Sequence, residues 1–164
     1  MFYTKFSSVL LWAALVIGPH AWSTDRPDDV PEGAEWHQVE RVTDGDTIVL
    51  ADGTRVRLHG IDAPERDQRY GSQATAALGY MVGSTVYVLK VDTDRYGRMV
   101  GQLYHATEGY DLNASMVCTG FAWWYERYAP GDELLEGCQD EAREAPKGLW
   151  EDGDPMPPWE WRRR

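Results

Sequence analysis

Cysteine and histidine are scarce in this sequence, with two cysteines and four histidines among 164 residues. No Cys-x-x-Cys pair occurs and the histidines are scattered, which argues against a structural zinc site. Long apolar runs are also missing, because the longest one, residues 9–17, is about half of the roughly 20 residues needed to cross a bilayer. These absences argue against the zinc-stabilised and the membrane-spanning classes of protein.

Basic residues, and lysine in particular, are too few to balance the acidic ones. The sequence has 16 lysines and arginines against 27 aspartates and glutamates, so its formal net charge is -11. Lysine occurs only at positions 5, 90 and 147. An acidic surface repels polyanions at long range and favours solubility, so the net charge alone argues against a nucleic-acid binder.

The short apolar run near the N-terminus has the features of an export signal. Lys5 precedes the run, a Gly-Pro pair ends it, and the small residues of Ala21-Trp22-Ser23 provide a cleavage site. We interpret residues 1–23 as a cleaved signal peptide, with an uncleaved anchor as the alternative. This predicts a secreted or periplasmic protein that is not inserted in a membrane after cleavage.

Export would place the two cysteines in an oxidising compartment, where disulfides persist. Cys118 and Cys138 have only one possible pairing, with 19 intervening residues. Such a bridge would contribute about 3 kcal/mol, mainly by restricting the unfolded chain. The alternative is a pair of buried free thiols.

Composition divides the rest of the chain into three parts. Residues 24–35 are acidic, contain proline and lack periodicity, which predicts a flexible leader. Residues 36–150 form the predicted folded domain, and residues 151–164 form a tail rich in tryptophan, proline and arginine. We expect the tail's tryptophans to pack on the domain and residues 162–164 to stay in solvent.

Turn signals and hydrophobic periodicity predict the elements of the domain. Asp44-Gly45 and Asp52-Gly53 are flanked by β-branched residues, as in hairpin turns. The predicted strands cover about residues 36–43, 46–51, 54–61, 84–92 and 98–106. The predicted helices cover residues 71–82, 111–124 and 131–145, the last two with Asp111 and Asp132 as N-caps. Five short strands with interposed helices predict a mainly β, α+β fold: a five-stranded barrel of the OB type with about three helices.

The segment VRLHGIDAPE, residues 56–65, combines one arginine with two carboxylates: Arg57, Asp62 and Glu65. If the second Asp-Gly turn is a two-residue loop, Asp46 pairs with His59 and Ile48 pairs with Arg57. Because cross-strand partners share a face, Asp46, Arg57 and His59 would then project to one side of the sheet. The pattern predicts a cluster at one strand end, although each turn or ion pair taken alone is an ordinary structural feature.

This cluster predicts a particular chemistry. Converging carboxylates repel one another unless a cation lies between them, and ligands that are all oxygen suit Ca²⁺ or Mg²⁺. Arginines beside such a cation indicate a phosphate-containing substrate, because the guanidinium fork matches phosphate oxygens. A carboxylate that activates water completes the requirements for phosphodiester hydrolysis.

Five segments in this order resemble the staphylococcal nuclease family: VTDGDTIVL, VRLHGIDAPE, DRYGR, DLNASMVCTGFAWW and EAREAPKGLW. The resemblance covers about residues 36–150. It implies a five-stranded OB barrel carrying three helices. It also implies a Ca²⁺-dependent endonuclease that cuts DNA and RNA and leaves 3′-phosphate ends.

The resemblance also implies roles for individual residues by motif position. The implied metal ligands are Asp46, Asp62 and the main-chain oxygen of Ala63, which replaces a threonine common in the family. Glu65 would activate water, and Arg57 and Arg98 would clamp the phosphate. Tyr96 and Tyr128 would contact the nucleotide. Apart from the resemblance, we expect Arg57, Arg95 and Arg98 to keep the site locally positive in an otherwise acidic protein.

Three functions therefore compete at this point. The first is an exported, monomeric nuclease. The second is a non-catalytic OB module that binds nucleic acid, although such relatives typically lose the acidic and arginine site residues that this sequence retains. The third is a phosphodiesterase that acts on small nucleotides.

Overall fold

A closed barrel of five strands forms the centre of the computed structural model, which describes residues 26–164. The barrel strands are β1 (Glu35–Asp44), β2 (Thr47–Leu50), β3 (Arg55–Leu58), β5 (Thr85–Thr93) and β6 (Met99–His105). They follow one another around the barrel in the order β1-β2-β3-β6-β5, and only β3 and β6 are parallel. Two further strands, β4 (Ile61–Asp62) and β7 (Trp123–Trp124), form a small separate sheet. The predicted α+β barrel of the OB type is confirmed.

Helices cover the barrel and form the second part of its core. They are α1 (Gly71–Val82), α2 (Leu112–Cys118), α3 (Glu133–Glu144) and the short α4 (Pro158–Trp161), with a 3₁₀ turn at Gly148–Asp152. Barrel residues such as Ile48, Leu58 and Leu103 share one buried cluster with Leu78 of α1 and Met116 of α2. None of the helices in residues 26–164 has the length and apolarity needed to cross a membrane.

The predicted caps of the second and third helices are confirmed. The Asp111 carboxylate accepts a hydrogen bond from the Ala114 N–H at 3.0 Å, and Asp132 accepts one from the Leu135 N–H at 3.0 Å. Each carboxylate thereby satisfies an N–H group that has no partner inside the helix. The predicted disulfide is also present, because Cys118 at the end of α2 is bonded to Cys138 in α3.

The predicted helix over residues 111–124 is too long. It ends at Cys118, because Gly120 takes a left-handed conformation with φ 74° and the chain turns back. The following residues form β7, which pairs with β4 so that Trp123 lies opposite Asp62. The apolar run after the helix is therefore a strand that supports the segment carrying Asp62.

The predicted register of the second hairpin is wrong by one residue. Thr47 pairs with Arg57 and Ile48 pairs with Val56. The turn has three residues because the Leu50 N–H bonds to the Thr54 carbonyl, and Gly53 adopts φ 86°. Asp46 consequently does not pair with His59 but lies in the preceding turn, between Asp44 and Thr47.

The described parts of the two segments that flank the domain lie against it. The leader residues 26–34 contain only turns, and Val30 is buried. Just before the tail, Trp150 is buried and packs edge-on against Trp123, with 5.6 Å between ring centroids. Trp159 stacks on Tyr125, so packing of these tryptophans on the domain is confirmed. The predicted signal peptide, residues 1–23, lies outside the described residues.

Candidate active site

Two aspartates and an arginine form a connected cluster at one end of β3. The Arg57 guanidinium donates to Asp46 Oδ1 at 2.9 Å and to Asp62 Oδ1 at 2.6 Å. The same guanidinium also donates to the carbonyl of Ile61 at 3.3 Å. The structure thus brings together three of the residues predicted to form the site, and it does so through direct ion pairs.

Asp46 is placed by the turn that joins β1 and β2. Its second carboxylate oxygen accepts a hydrogen bond from the Ala63 N–H at 3.0 Å. Gly45 allows this approach, because a Cβ there would lie 2.7 Å from the Cβ atoms of both Ala63 and Ala74. A residue with any side chain at position 45 would therefore separate the Asp46 turn from the loop carrying Ala63.

Asp62 is fully buried at the end of β4. Its position in the β4–β7 sheet directs its carboxylate to the Arg57 side, where the guanidinium neutralises it. A buried carboxylate without a cation or hydrogen-bond donors would carry a large desolvation cost. The Asp62–Arg57 contact is therefore structural as well as a candidate for chemistry.

Glu65 lies on the loop between β4 and α1, with its side chain 38% exposed. The loop is held by the Glu65 N–H, which donates to Gln68 Oε1 at 3.1 Å. It is also pressed against the start of α1, where a Cβ on Gly71 would lie 2.0 Å from the Glu65 carbonyl oxygen. This close packing holds a partly exposed carboxylate beside the buried Asp62, as required of a group that handles water.

Arg162 is a site residue that the sequence analysis did not identify. Its guanidinium donates to Glu65 Oε1 at 2.6 Å and to the two oxygens of Asp62 at 3.2 and 2.7 Å. Arg162 is exposed, as expected for residues 162–164, with its side chain 40% exposed, but its ion pairs with Asp62 and Glu65 were not expected. No local motif marks this residue, because it lies about 100 positions from its partners and the contact depends on how the tail folds back.

Arg98, Arg95 and Tyr96 lie together on the hairpin turn before β6. Arg98 Nε donates to Asp94 Oδ2 at 2.7 Å, within the turn itself. The Tyr96 ring centroid is 4.8 Å from the Arg95 guanidinium carbon and 5.7 Å from that of Arg98. The turn thus presents the exposed Tyr96 and Arg95, whereas the Arg98 side chain is only 24% exposed. An aromatic ring beside guanidinium groups is suited to contact a nucleotide.

The strand alignment relates this turn to the buried cluster. Arg57 of β3 pairs with Val100 of β6, and Arg98 precedes Val100 by two residues. Because side chains alternate along a strand, Arg98 and Arg57 share one face of the barrel. Within residues 26–164, however, no hydrogen bond joins Arg98 to the carboxylates of the cluster.

Tyr128 lies on a different segment, which follows β7. It is 61% exposed and meets Tyr125 edge-on, with 4.9 Å between ring centroids. Tyr125 in turn stacks on Trp159 of the tail. Tyr128 is therefore part of an exposed aromatic group and does not contact the carboxylate cluster directly.

Burial controls the electrostatics of the cluster. It raises the pKa of Asp46 to about 6, and the attraction of Arg57 opposes this rise only in part. Burial alone would lower the pKa of Arg57, but the negative charges of Asp46 and Asp62 more than compensate. The pKa of Arg57 is therefore raised, and Arg57 stays charged. The cluster therefore has a carboxyl group whose ionised form is less favourable than that of a carboxyl group in water.

This donor set fits a hard divalent cation that keeps several water or substrate ligands. Asp46 and Asp62 offer carboxylate oxygens, and Ala63 would add its main-chain oxygen. Within residues 26–164, no group of three or more His, Cys, Asp or Glu side chains is close enough to enclose a metal ion. The residues thus suit an open Ca²⁺ or Mg²⁺ site rather than a closed cage, since such ions accept oxygen ligands from solvent and substrate.

The raised pKa of Asp46 predicts that the Asp46→Asn substitution changes how the stability of the protein depends on pH. In EDTA, the folded wild type binds a proton more tightly than the unfolded chain between pH 3.8 and about 6, so its unfolding free energy falls as pH rises through this range. At 1.36 kcal/mol per pKa unit, the effect amounts to at most about 3 kcal/mol. Asp46→Asn removes the titrating group, so its unfolding free energy relative to that of the wild type should rise with pH, although at every pH the variant also loses the ion pair with Arg57.

Urea unfolding at pH 5 and pH 8 measures this difference. The unfolding free energy of Asp46→Asn minus that of the wild type should be more positive at pH 8 than at pH 5. Asp52→Asn is the control, because hydrogen bonds from the Thr54 N–H and hydroxyl lower the pKa of exposed Asp52. A pH-independent difference between the Asp46 variant and the wild type would contradict the assignment of Asp46 as an unfavourable buried charge.

Comparison with known proteins supplies independent information. Residues 55–152 match the protein family described as staphylococcal nuclease homologue. An uncharacterized endonuclease of Escherichia coli O157:H7 is 49% identical over 131 residues, which cover 77% of this chain and 84% of the relative. The micrococcal nuclease of Shigella flexneri is 40% identical over 147 residues, covering 82% of this chain and 84% of the relative. The protein ParB of Escherichia coli is 38% identical, and the match covers 98% of this chain and 92% of the relative.

Proposed function

Because the chain belongs to the staphylococcal nuclease family, we propose that it is a nuclease that hydrolyses phosphodiester bonds of nucleic acids. The observation that carries the proposal is the joining of Asp46, Arg57 and Asp62 by direct ion pairs, with Glu65 beside them. A purely structural ion pair would need neither a third carboxylate nor an exposed loop held by close packing at Gly71.

The proposed activity is that of a Ca²⁺-dependent endonuclease that cuts DNA and RNA. Asp46, Asp62 and the main-chain oxygen of Ala63 would hold the ion. When bound, it supplies positive charge that stabilises the negative charge developing on the phosphate. The raised pKa of Asp46 supports this assignment, because added positive charge would favour its ionised form.

The remaining work of hydrolysis falls to side chains of this chain. Glu65 would accept a proton from the attacking water as the water oxygen bonds to phosphorus. The bond from phosphorus to the leaving oxygen would break, and that oxygen would take up a proton from solvent. Arg57 and Arg98, which share a face of the barrel, would donate hydrogen bonds to the phosphate oxygens. Arg95, Tyr96 and Tyr128 would contact the rest of the nucleotide.

These arginines would also allow an acidic protein to bind a negatively charged substrate. The net charge of -11 repels a polyanion at a distance, but contact energies depend on the groups at the site. Arg57, Arg95 and Arg98 provide local positive charge where the phosphate would bind. We further propose that residues 1–23 direct export to the periplasm or the medium. We also propose that the protein acts there as a monomer.

Digestion in the presence of CaCl₂ or EDTA tests the proposal. The purified protein, with the Cys118–Cys138 disulfide intact, is incubated with plasmid DNA, denatured DNA and RNA. We expect all three to be cut in CaCl₂ and none in EDTA. Absence of chelator-sensitive cleavage would instead indicate a non-catalytic binding module, and cleavage of small nucleotide esters alone would indicate a phosphodiesterase.

A further inference from the structure

The C-terminal tail lies across the loop that carries the site. The side-chain amide of Gln68 donates to the Met156 carbonyl at 2.6 Å, and the Trp161 indole N–H donates to Asp67 at 3.2 Å. Trp159 stacks on Tyr125, with 4.9 Å between ring centroids and 12° between ring planes. These separate contacts hold the tail in one position on the domain.

This position places the Arg162 guanidinium between Asp62 and Glu65. One nitrogen donates to Glu65 Oε1 at 2.6 Å and to Asp62 Oδ1 at 3.2 Å, and the other donates to Asp62 Oδ2 at 2.7 Å. Arg163 and Arg164 follow directly and are exposed like Arg162, but neither makes an ion pair with a carboxylate of the described residues. Arg162 is therefore distinguished from its neighbours by its contacts and not by its residue type.

The contacts of Arg162 occupy the oxygens that a metal ion would use. Both oxygens of Asp62 are bonded to Arg162, and Oδ1 also accepts from Arg57. A Ca²⁺ ion bound to Asp62 would lie about 2.3–2.6 Å from a carboxylate oxygen. It would then be within a few ångströms of the guanidinium, and like charges at that distance repel strongly in a partly buried site.

We propose that Arg162 is an internal cation of the site, which competes with the divalent metal ion for Asp62 and holds Glu65 until that ion binds. This inference rests on the proposed function, since it assumes that Asp62 is a metal ligand. Metal binding requires Arg162 to leave the two carboxylates, which also frees Glu65 for water. The tail therefore raises the Ca²⁺ concentration at which the site fills.

Calcium titration of the metal-free protein by isothermal calorimetry tests the inference without relying on activity. Arg162→Gln removes the competing charge, so its Kd for Ca²⁺ should fall by about 10-fold relative to the wild type. Arg163→Gln is the matched control, because it removes the same charge from the adjacent exposed position, and its Kd should be close to the wild-type value. Arg162→Lys keeps the charge but cannot make the same forked contacts, so its Kd should be intermediate.

A truncated chain that ends at Pro157 removes the whole of α4 and gives a second measurement. It should bind Ca²⁺ at least as tightly as Arg162→Gln, and unfolding curves show whether it remains folded. If Arg162→Gln and the truncated chain bind Ca²⁺ no more tightly than the wild type, the inference is overturned and the proposed function stands. If neither the wild type nor any variant binds Ca²⁺, both the inference and the proposed metal dependence are wrong.

Discussion

Glu65→Gln is expected to lower the rate of phosphodiester cleavage by at least about 10²-fold, with little change in stability. The amide cannot accept a proton from water, although it has nearly the same shape as the carboxylate. The Glu65 loop is held by the hydrogen bond from the Glu65 N–H to the Gln68 side-chain oxygen and by packing against Gly71. The ion pair that Glu65 makes with Arg162 is partly exposed, so its loss should cost little stability. Initial rates on denatured DNA in saturating CaCl₂ measure the effect.

A matched control separates the loss of this carboxylate from a general change in charge. Glu141→Gln makes the same substitution at an exposed position on α3, and its cleavage rate should be unchanged. Calcium calorimetry should show that Glu65→Gln still binds the ion, because Asp46 and Asp62 remain. Wild-type turnover by Glu65→Gln would refute the role assigned to this residue.

Arg57→Gln is expected to lower both the cleavage rate and the stability of the metal-free protein. Removing the guanidinium leaves Asp46 without its cation and Asp62 with Arg162 alone. Breaking a buried ion pair from one side typically costs about 3–5 kcal/mol, because the remaining charge is unsatisfied. The cleavage rate should fall by about 10²-fold or more, because a donor to the phosphate is lost.

Urea unfolding in EDTA measures the loss of stability, and Arg55→Gln is its control. Arg55 lies on the same strand and carries the same charge, but it is exposed. The double variant Asp46→Asn/Arg57→Gln should recover part of the stability, because it contains one buried carboxylate fewer. If Arg57→Gln is no less stable than Arg55→Gln, the cluster is not held together by this ion pair.

Most of the fold could be predicted from local patterns. The helix over residues 71–82 has the bounds that periodicity predicts, and the caps at Asp111 and Asp132 form as expected. The predictions are wrong where a short sequence pattern is compatible with two different local structures. An Asp-Gly turn can close with two or three loop residues, and an apolar run after a helix can extend the helix or pair as a strand.

The candidate site could also be predicted from the sequence only in part. The grouping of Asp46, Arg57 and Asp62 could be predicted, because all three lie on one hairpin and the loop that follows it. The structure joins them even though the predicted pairing of Asp46 with His59 is wrong, because the Asp46 carbonyl accepts from the Leu58 N–H and the Asp46 side chain still reaches the Arg57 guanidinium. The position of Arg98 relative to them depends on the parallel pairing of β3 and β6.

The sequence by itself determined which chemical groups are available and which of them lie close along the chain: the carboxylates and arginine of the hairpin, the caps and the single cysteine pairing. The tertiary structure alone decided that Arg162 reaches Asp62 and Glu65. The physical reason is the range of the forces involved. Turns, caps and alternation act over a few residues, whereas the tail is placed by packing and hydrogen bonds between segments about 100 residues apart.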